Sequence, residues 1–159
     1  MRSIILTLLI VLFFASCDHA TYHTNKDLPK AWHKDSAVVF KVKELDSLQP
    51  YNLFITLRND NRYSYSNLYL ITHMQFPNGR TLADTLEYTM ANPDGSWLGT
   101  GFGDLKENKL WYRENVNFNE NGTYTFTVRQ AMRRNGEARP ITELQGIHDV
   151  GLRIEKNNQ

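Results

Sequence analysis

Hydrophobic and polar residues alternate with a period of two along most of the chain beyond residue 34. The apolar positions form six runs: Val38, Phe40 and Val42; Leu53, Ile55 and Leu57; Leu68, Leu70, Met74 and Phe76; Leu86, Tyr88 and Met90; Tyr124, Phe126 and Val128; and Val150, Leu152 and Ile154. This alternation is typical of β-strands that bury one face. No segment shows a comparable helical period, so the pattern indicates an all-β protein.

Turn sequences separate these runs. The segments "FPNG", "NPDG", "NENG" and "RRNG" occupy residues 76–79, 92–95, 119–122 and 133–136. Asn-Gly and Asp-Gly provide the positive φ angles that tight hairpin turns require. About seven or eight strands joined by hairpins, without intervening helices, predict a single antiparallel β-sandwich of the jelly-roll or immunoglobulin-like kind.

The N-terminus has a different pattern. Arg2 is followed by an almost wholly apolar run over residues 4–14 and then by the small residues Ala15 and Ser16. A cation, a short apolar region and small residues are the successive parts of a secretory signal peptide. The run is too short for a transmembrane helix, which needs about 20 apolar residues. We therefore predict that residues 1–16 are a signal peptide.

Cys17 is the only cysteine of the chain. A single cysteine cannot close an intramolecular disulfide or supply a multi-thiolate metal site. The segment "FASC", residues 14–17, resembles the bacterial lipoprotein signal, in which this thiol receives a diacylglyceryl group and the new amine an acyl chain such as palmitate. Several acyl chains hold a protein on a bilayer where one does not. The alternative is an ordinary secretory signal followed by an unmodified cysteine.

The segment 17–34 is polar, lacks periodicity and contains Pro29. Such composition predicts a flexible tether that lets the domain stand off the bilayer. The β-sandwich domain is then expected over residues 35–159.

Charge limits the kind of partner. The chain has 18 Lys and Arg residues against 17 Asp and Glu residues, and the predicted signal peptide removes one cation, Arg2, so the mature net charge falls to zero. Nucleic-acid binding needs a basic surplus or stripe, which argues against such a partner. The dense basic segment 129–139 is interpreted as a solvated hairpin tip.

Motifs for catalysis are missing from the sequence. The five histidines show no zinc-site spacing, and "GTGFG" at residues 99–103 lacks the strand, helix and lysine of a phosphate loop. No serine lies in a nucleophile elbow, and no motif selects a carboxylate pair. We expect no catalytic residue, metal or cofactor. A hydrolase remains an alternative that would need two acids about 5–10 Å apart in a cleft.

Aromatic residues are the strongest candidates for a binding surface. Trp97, Phe102, Trp111 and Tyr112 lie in or after a loop with four glycines between Gly95 and Gly103. Aromatic side chains beside an adaptable loop are suited to anchoring a protein or a sugar. The alternative is that these rings close one end of the sandwich core.

Several segments together resemble the gliding-motility lipoprotein H (GldH) family of Bacteroidota. The resemblance spans nearly the whole chain and depends on "FASC", "NLYLITHMQFPNG", the segment 93–133 that begins "PDGSWLGTGFGDLKENKLWYREN", and "GIHDVGLRIEK". It implies an outer-membrane lipoprotein facing the periplasm, which supports gliding and the associated type IX secretion machinery. Its expected role is a scaffold that binds other envelope proteins, and no catalytic residue is implied. The alternative function is a carbohydrate-binding lipoprotein.

Overall fold

The computed structural model describes residues 20–43 and 45–157, which form ten β-strands. The strands are β1 (Ala20–Asp27), β2 (Ala31–His33), β3 (Val38–Val42), β4 (Tyr51–Asn59), β5 (Asn67–Gln75), β6 (Thr81–Thr89), β7 (Lys106–Val116), β8 (Tyr124–Gln130), β9 (Glu143–Gln145) and β10 (Ile147–Lys156). Within these ranges no helix is long and apolar enough to cross a membrane.

The strands pair in a nested order. β1 pairs with β10, β2 with β9, β3 with β8, β4 with β7 and β5 with β6, and every pair is antiparallel. The described chain is therefore one long hairpin, and its tip is the turn at residues 76–80. There the Gly79 N–H donates to the Phe76 carbonyl at 2.9 Å, and Gly79 has a φ of 88°. The Asn-Gly signal correctly predicted this turn.

The long hairpin is rolled into two facing sheets. Sheet I has the strand order β1-β10-β4-β7, and sheet II has the order β3-β8-β5-β6. β2 and β9 form a separate two-stranded ribbon. An eight-stranded hairpin rolled into two four-stranded sheets in this order is a jelly roll. The prediction of an all-β antiparallel sandwich is confirmed.

The core lies between the two sheets and is built by the predicted alternation. Its members are almost fully buried and include Leu53, Ile55 and Leu57 of β4; Val150, Leu152 and Ile154 of β10; Val38, Phe40 and Val42 of β3; Leu68, Leu70 and Met74 of β5; and Tyr124, Phe126 and Val128 of β8. Burying one large aliphatic or aromatic side chain stabilises a fold by about 1.5–3 kcal/mol before entropy is counted.

Polar contacts join the two sheets along the β6–β7 side. The Arg113 guanidinium of β7 donates to both carboxylate oxygens of Asp84 in β6, at 2.8 Å. The Tyr88 hydroxyl donates to the Trp111 carbonyl at 2.5 Å. These contacts hold one edge of sheet II over one edge of sheet I.

The N-terminal segment differs from the expected flexible tether. Ala20–Asp27 forms strand β1, and Trp32 in β2 is fully buried, with its indole N–H donating to the Ser36 carbonyl at 2.9 Å. β1 is stabilised by backbone pairing with β10 along its length, while most of its side chains remain exposed. Backbone pairing does not depend on apolar side chains, so the polar sequence of residues 20–27 gave no sign of a strand.

Strand β7 was not predicted either, because its alternation is masked on both faces. Asn108 points into the fold, where its amide donates to the Asn59 side-chain oxygen at 2.8 Å and to the Leu57 carbonyl at 3.3 Å. On the opposite face, Trp111 is 56% exposed. A polar residue inside and an aromatic residue outside reverse the usual strand pattern.

Gly151 occupies the middle of β10, where neighbouring side chains meet above it. Its register partners are Asn25 of β1 and Thr56 of β4, and the Thr56 hydroxyl donates to the Asn25 side-chain oxygen at 2.9 Å. A Cβ on Gly151 would lie 1.9 Å from that Asn25 oxygen and 2.1 Å from the Thr56 hydroxyl. This contact across β10 therefore requires a glycine.

We expect Gly151→Ala to lower the free energy of unfolding by about 3 kcal/mol, the upper end of the usual cost of overpacking, because both neighbouring oxygens must move. Gly136→Ala is the matched control, since Gly136 has a φ of 78° but open space around the new Cβ. Its cost should be about 1 kcal/mol, from backbone strain alone. Urea denaturation of both variants measures the difference, and equal costs would contradict the packing explanation.

Candidate functional site

The predicted lipidation residue, Cys17, lies outside the described residues. β1 begins three residues later, at Ala20. The fold therefore starts almost immediately after the predicted attachment point.

The aromatic loop, defined here as residues 90–105, connects β6 and β7. Nested pairing places it beside residues 60–66, which connect β4 and β5, because β4 pairs with β7 and β5 with β6. Asn61 joins the two connections: its side-chain oxygen accepts from the Trp97 indole N–H at 3.1 Å, and its amide donates to Asp104 at 2.8 Å. Asn61 was not predicted from the sequence, because its role depends on residues 36 and 43 positions away.

Backbone bonds order the aromatic loop. The Leu98 N–H donates to the Met90 carbonyl at 3.0 Å, and Thr100 exchanges two bonds with Glu107, at 2.9 and 2.7 Å. The glycines serve this geometry: Gly101 has a φ of 144°, while a Cβ on Gly99 would lie 2.7 Å from the Asn108 side-chain oxygen. The glycines, which we interpreted as a sign of an adaptable loop, are thus also required by a defined backbone conformation.

Trp97 is half-buried and packs against the core. Its ring centroid lies 6.1 Å from that of Tyr63, whose own side chain is buried. Burial raises the pKa of the Tyr63 hydroxyl, which donates to the Asn67 carbonyl at 2.6 Å. Trp97 therefore lies where the alternative interpretation placed it, at one end of the core.

Phe102, in contrast, is fully exposed. Leu98, in the same loop, is 49% exposed. The Lys106 ammonium donates to the Gly101 carbonyl at 3.0 Å, which fixes the backbone directly before Phe102. An ordered backbone that holds a large apolar side chain in solvent is suited to contact another molecule.

The last two candidates, Trp111 and Tyr112, lie in β7 in different environments. Trp111 packs on the outer face of sheet I, with its ring centroid 4.5 Å from that of Phe54 and the two ring planes tilted by 50°. The Lys109 ammonium lies 4.0 Å from the Phe54 ring centroid, a cation–π contact on the same face. Tyr112 is only 9% exposed and belongs to the core.

The four predicted aromatic residues therefore do not form one flat row of exposed rings, the arrangement expected for sugar stacking. Phe102 and Trp111 are exposed, Trp97 is half-buried and Tyr112 is buried. Among the described residues, no ring contact joins Phe102 or Trp97 to Trp111. Phe102 is the most accessible aromatic anchor of the set.

Charged groups near the aromatic loop are engaged with one another. The Asp60 carboxylate accepts from Arg62 at 2.7 Å and lies 2.8 Å from the His148 ring nitrogen Nε2. The Arg62 hydrogen bond, helped by that of His148, lowers the pKa of Asp60. Across residues 20–43 and 45–157, no three His, Cys, Asp or Glu side chains are placed to hold a metal ion.

Comparison with known proteins identifies the family. A family model described as "GldH lipoprotein" matches residues 20–154. The chain belongs to the GldH lipoprotein family. It is 50% identical over 156 residues to the "Gliding motility lipoprotein GldH homolog" of Christiangramia forsetii, covering 98% of this chain and 96% of the relative. It is 46% identical over 154 residues to the "Gliding motility lipoprotein GldH" of Flavobacterium johnsoniae, covering 97% and 96%.

The chain is also similar to part of a solved structure described as "Crystal structure of infectious bursal disease virus VP2 subviral particle". It has a TM-score of 0.39 and 12% sequence identity, and the match covers 89% of this chain and 34% of that chain.

Membership of the GldH lipoprotein family confirms the resemblance found in the sequence, and it implies attachment to a membrane of the cell envelope.

The aromatic loop yields a stability prediction. Trp97→Ala should lower the free energy of unfolding by about 2 kcal/mol, less than the ~3–5 kcal/mol of a fully buried large aromatic. Phe102→Ala should change it by less than about 0.5 kcal/mol, as expected for an exposed side chain. Chemical denaturation of both variants tests this. Equal destabilisation would contradict the different environments of the two rings.

Proposed function

We propose that this GldH-family chain is a non-enzymatic, lipid-anchored envelope component that supports gliding motility by binding a protein of the motility machinery. The observation that carries this proposal is the fully exposed Phe102 on a hydrogen-bonded loop. Partner anchors are commonly aromatic side chains at the centre of an interface.

The proposed anchor is a lipid on Cys17. β1 starts three positions after Cys17, and an extended chain spans at most about 3.6 Å per residue. The lipid would therefore hold the jelly roll within about 11 Å of the attachment point. The domain would lie close to the bilayer surface, where it could present its loops to a membrane-bound complex.

The proposed location is the periplasmic side of the outer membrane, and the proposed partner belongs to the type IX secretion machinery. Both parts are expectations from the resemblance to the GldH family. The relatives in Christiangramia forsetii and Flavobacterium johnsoniae are named for gliding motility. A scaffold role requires binding surfaces, and the exposed Phe102 on the ordered aromatic loop supports such a role.

Cys17→Ala should transfer the protein from the membrane fraction to the soluble fraction, because it removes the lipid attachment site. The melting temperature should not change, since Cys17 precedes the first strand. Cys17→Ser and a high-salt wash of the membranes serve as controls. A variant that still pelleted with the outer membrane after that wash would contradict lipid anchoring.

Phe102→Ser should lower partner recovery from detergent-solubilised envelope at least 10-fold, since losing an interface anchor typically costs about 2 kcal/mol or more. Leu48→Ser is the matched control, because Leu48 is 90% exposed and lies in the β3–β4 connection, at the other end of β4 from the β4–β5 connection. Mass spectrometry of the purified complexes identifies the partner. Equal recovery with Phe102→Ser and the unmodified protein would exclude this loop as the binding surface.

The motility role is tested in cells. Expression of this chain in a Flavobacterium johnsoniae strain that lacks its own GldH should restore movement over a surface, and Cys17→Ala should fail to do so. Restoration by the Cys17→Ala variant would show that membrane attachment is dispensable.

A further inference from the structure

The outer edge of β6 is an unpaired strand edge of nine residues. β5 and β6 share a continuous antiparallel ladder from Asn67–Thr89 to Gln75–Thr81, without a register shift. β6 is the last strand of sheet II, so its far side has no strand neighbour among the described residues.

The hydrogen bonds that flank β6 show which of its residues bond to β5 and which point away from the sheet. Met90 N–H donates to the Ser66 carbonyl, and Phe76 N–H donates to the Arg80 carbonyl. Because bonded pairs alternate along an antiparallel ladder, the even-numbered residues of β6 bond to β5. The N–H and C=O groups of the odd-numbered residues therefore point away from sheet II. These residues are Thr81, Ala83, Thr85, Glu87 and Thr89.

The other edges of the two four-stranded sheets are irregular or short, whereas β6 is long and regular. β1 and β7 contain register shifts, β3 has only five residues, and the Trp111 carbonyl of β7 is occupied by the Tyr88 hydroxyl. β6 contains no proline, glycine or register shift. Its two charged side chains already have partners, since Asp84 binds Arg113 and Glu87 accepts from the Asn67 amide at 3.3 Å. An edge this regular is a template on which another strand can pair.

We propose that β6 pairs with β6 of a second copy of this chain, in an antiparallel dimer centred on Thr85. This register pairs all nine residues: Thr85 faces Thr85 of the second copy, Ala83 faces Glu87, and Thr81 faces Thr89. The odd-numbered residues of both copies form the bonded pairs, as their backbone orientation requires. The result is a two-fold symmetric interface in which sheet II continues from one copy into the other.

Charge favours this register. Glu87 faces Ala83 of the second copy, and Asp84 faces Leu86, so no like charges lie directly opposite one another. A shift that centres the dimer on Asp84 would place two carboxylates face to face, which destabilises a strand pair. Thr85–Thr85 and Thr81–Thr89 are cross-strand pairs that stabilise sheets.

The fold also leaves the anchor accessible in this dimer. β1, which follows Cys17, is the edge of sheet I opposite β7, and β7 lies beside β6. The N-terminal strands therefore lie on the outer sides of the dimer, away from its centre. Two copies could pair through β6 while both are held on one membrane.

The first experiment measures mass in solution. The full chain carrying Cys17→Ala should sediment at twice the monomer mass. Thr85→Pro in that background should be monomeric and still unfold cooperatively, because the Thr85 N–H does not bond to β5 and edge strands tolerate proline there. Thr85→Val, which keeps the N–H and the β-branched shape, should remain dimeric. A monomer at all concentrations, or a dimer unaffected by Thr85→Pro, would overturn the proposal.

Disulfide trapping tests the register and does not depend on the proline variant folding. In the Cys17→Ala background, Thr85→Cys should form a covalent dimer under mild oxidation, since Cα atoms of a bonded pair lie about 5.5 Å apart. Thr81→Cys is the control: its two copies would be eight residues, or about 27 Å, apart and should not cross-link. Mixing the Thr81→Cys and Thr89→Cys variants should restore cross-linking. Cross-linking of Thr81→Cys alone without that of Thr85→Cys would refute this register.

Discussion

Nested backbone pairing is the constraint on which the whole structure depends. Each strand in the first half of the described chain pairs with its counterpart in the second half, from β5–β6 at the tip to β1–β10 at the base. Only β5–β6 is a local hairpin, and the base joins residues about 130 positions apart. Pairing strands that are so far apart in sequence is slow. The β5–β6 hairpin can therefore form early, whereas β1 can pair only once β10 is in place. Gly151 contributes at the base, because it lets Asn25 and Thr56 meet across β10.

The same constraint assembles the candidate binding surface. Connections that are distant in sequence become neighbours when the strands flanking them pair, which is why Asn61 reaches both Trp97 and Asp104. Residues 60–66 consequently hold the aromatic loop in place, and the aromatic residues of the loop have two different roles. Trp97 packs against Tyr63 at the end of the core, while Phe102 remains in solvent. One sequence feature thus contributes both to stability and to the proposed recognition.

Sequence reasoning succeeded where side chains determine the structure. Strands β3, β5, β8 and β10 were predictable because their inward residues are mostly apolar and their outward residues mostly are not. The turn at Gly79 was predictable because its positive φ favours glycine. β1 was not predicted because backbone pairing, and not an apolar face, stabilises it. β7 was not predicted because Asn108 lies on the buried face and Trp111 on the exposed face. The environments of Trp97, Phe102 and Tyr112 depend on distant neighbours, so local sequence could not separate them.

The short interval between Cys17 and β1 has a mechanical consequence. A force transmitted through a lipid on Cys17 would reach the fold at Ala20, at the N-terminal end of β1. A pull along the axis of β1 would load its hydrogen bonds to β10 in shear, so that all of them resist together. A pull perpendicular to the sheet would instead peel them apart one after another from Ala20. The orientation of the jelly roll relative to the membrane would thus decide how much traction one anchored molecule can withstand.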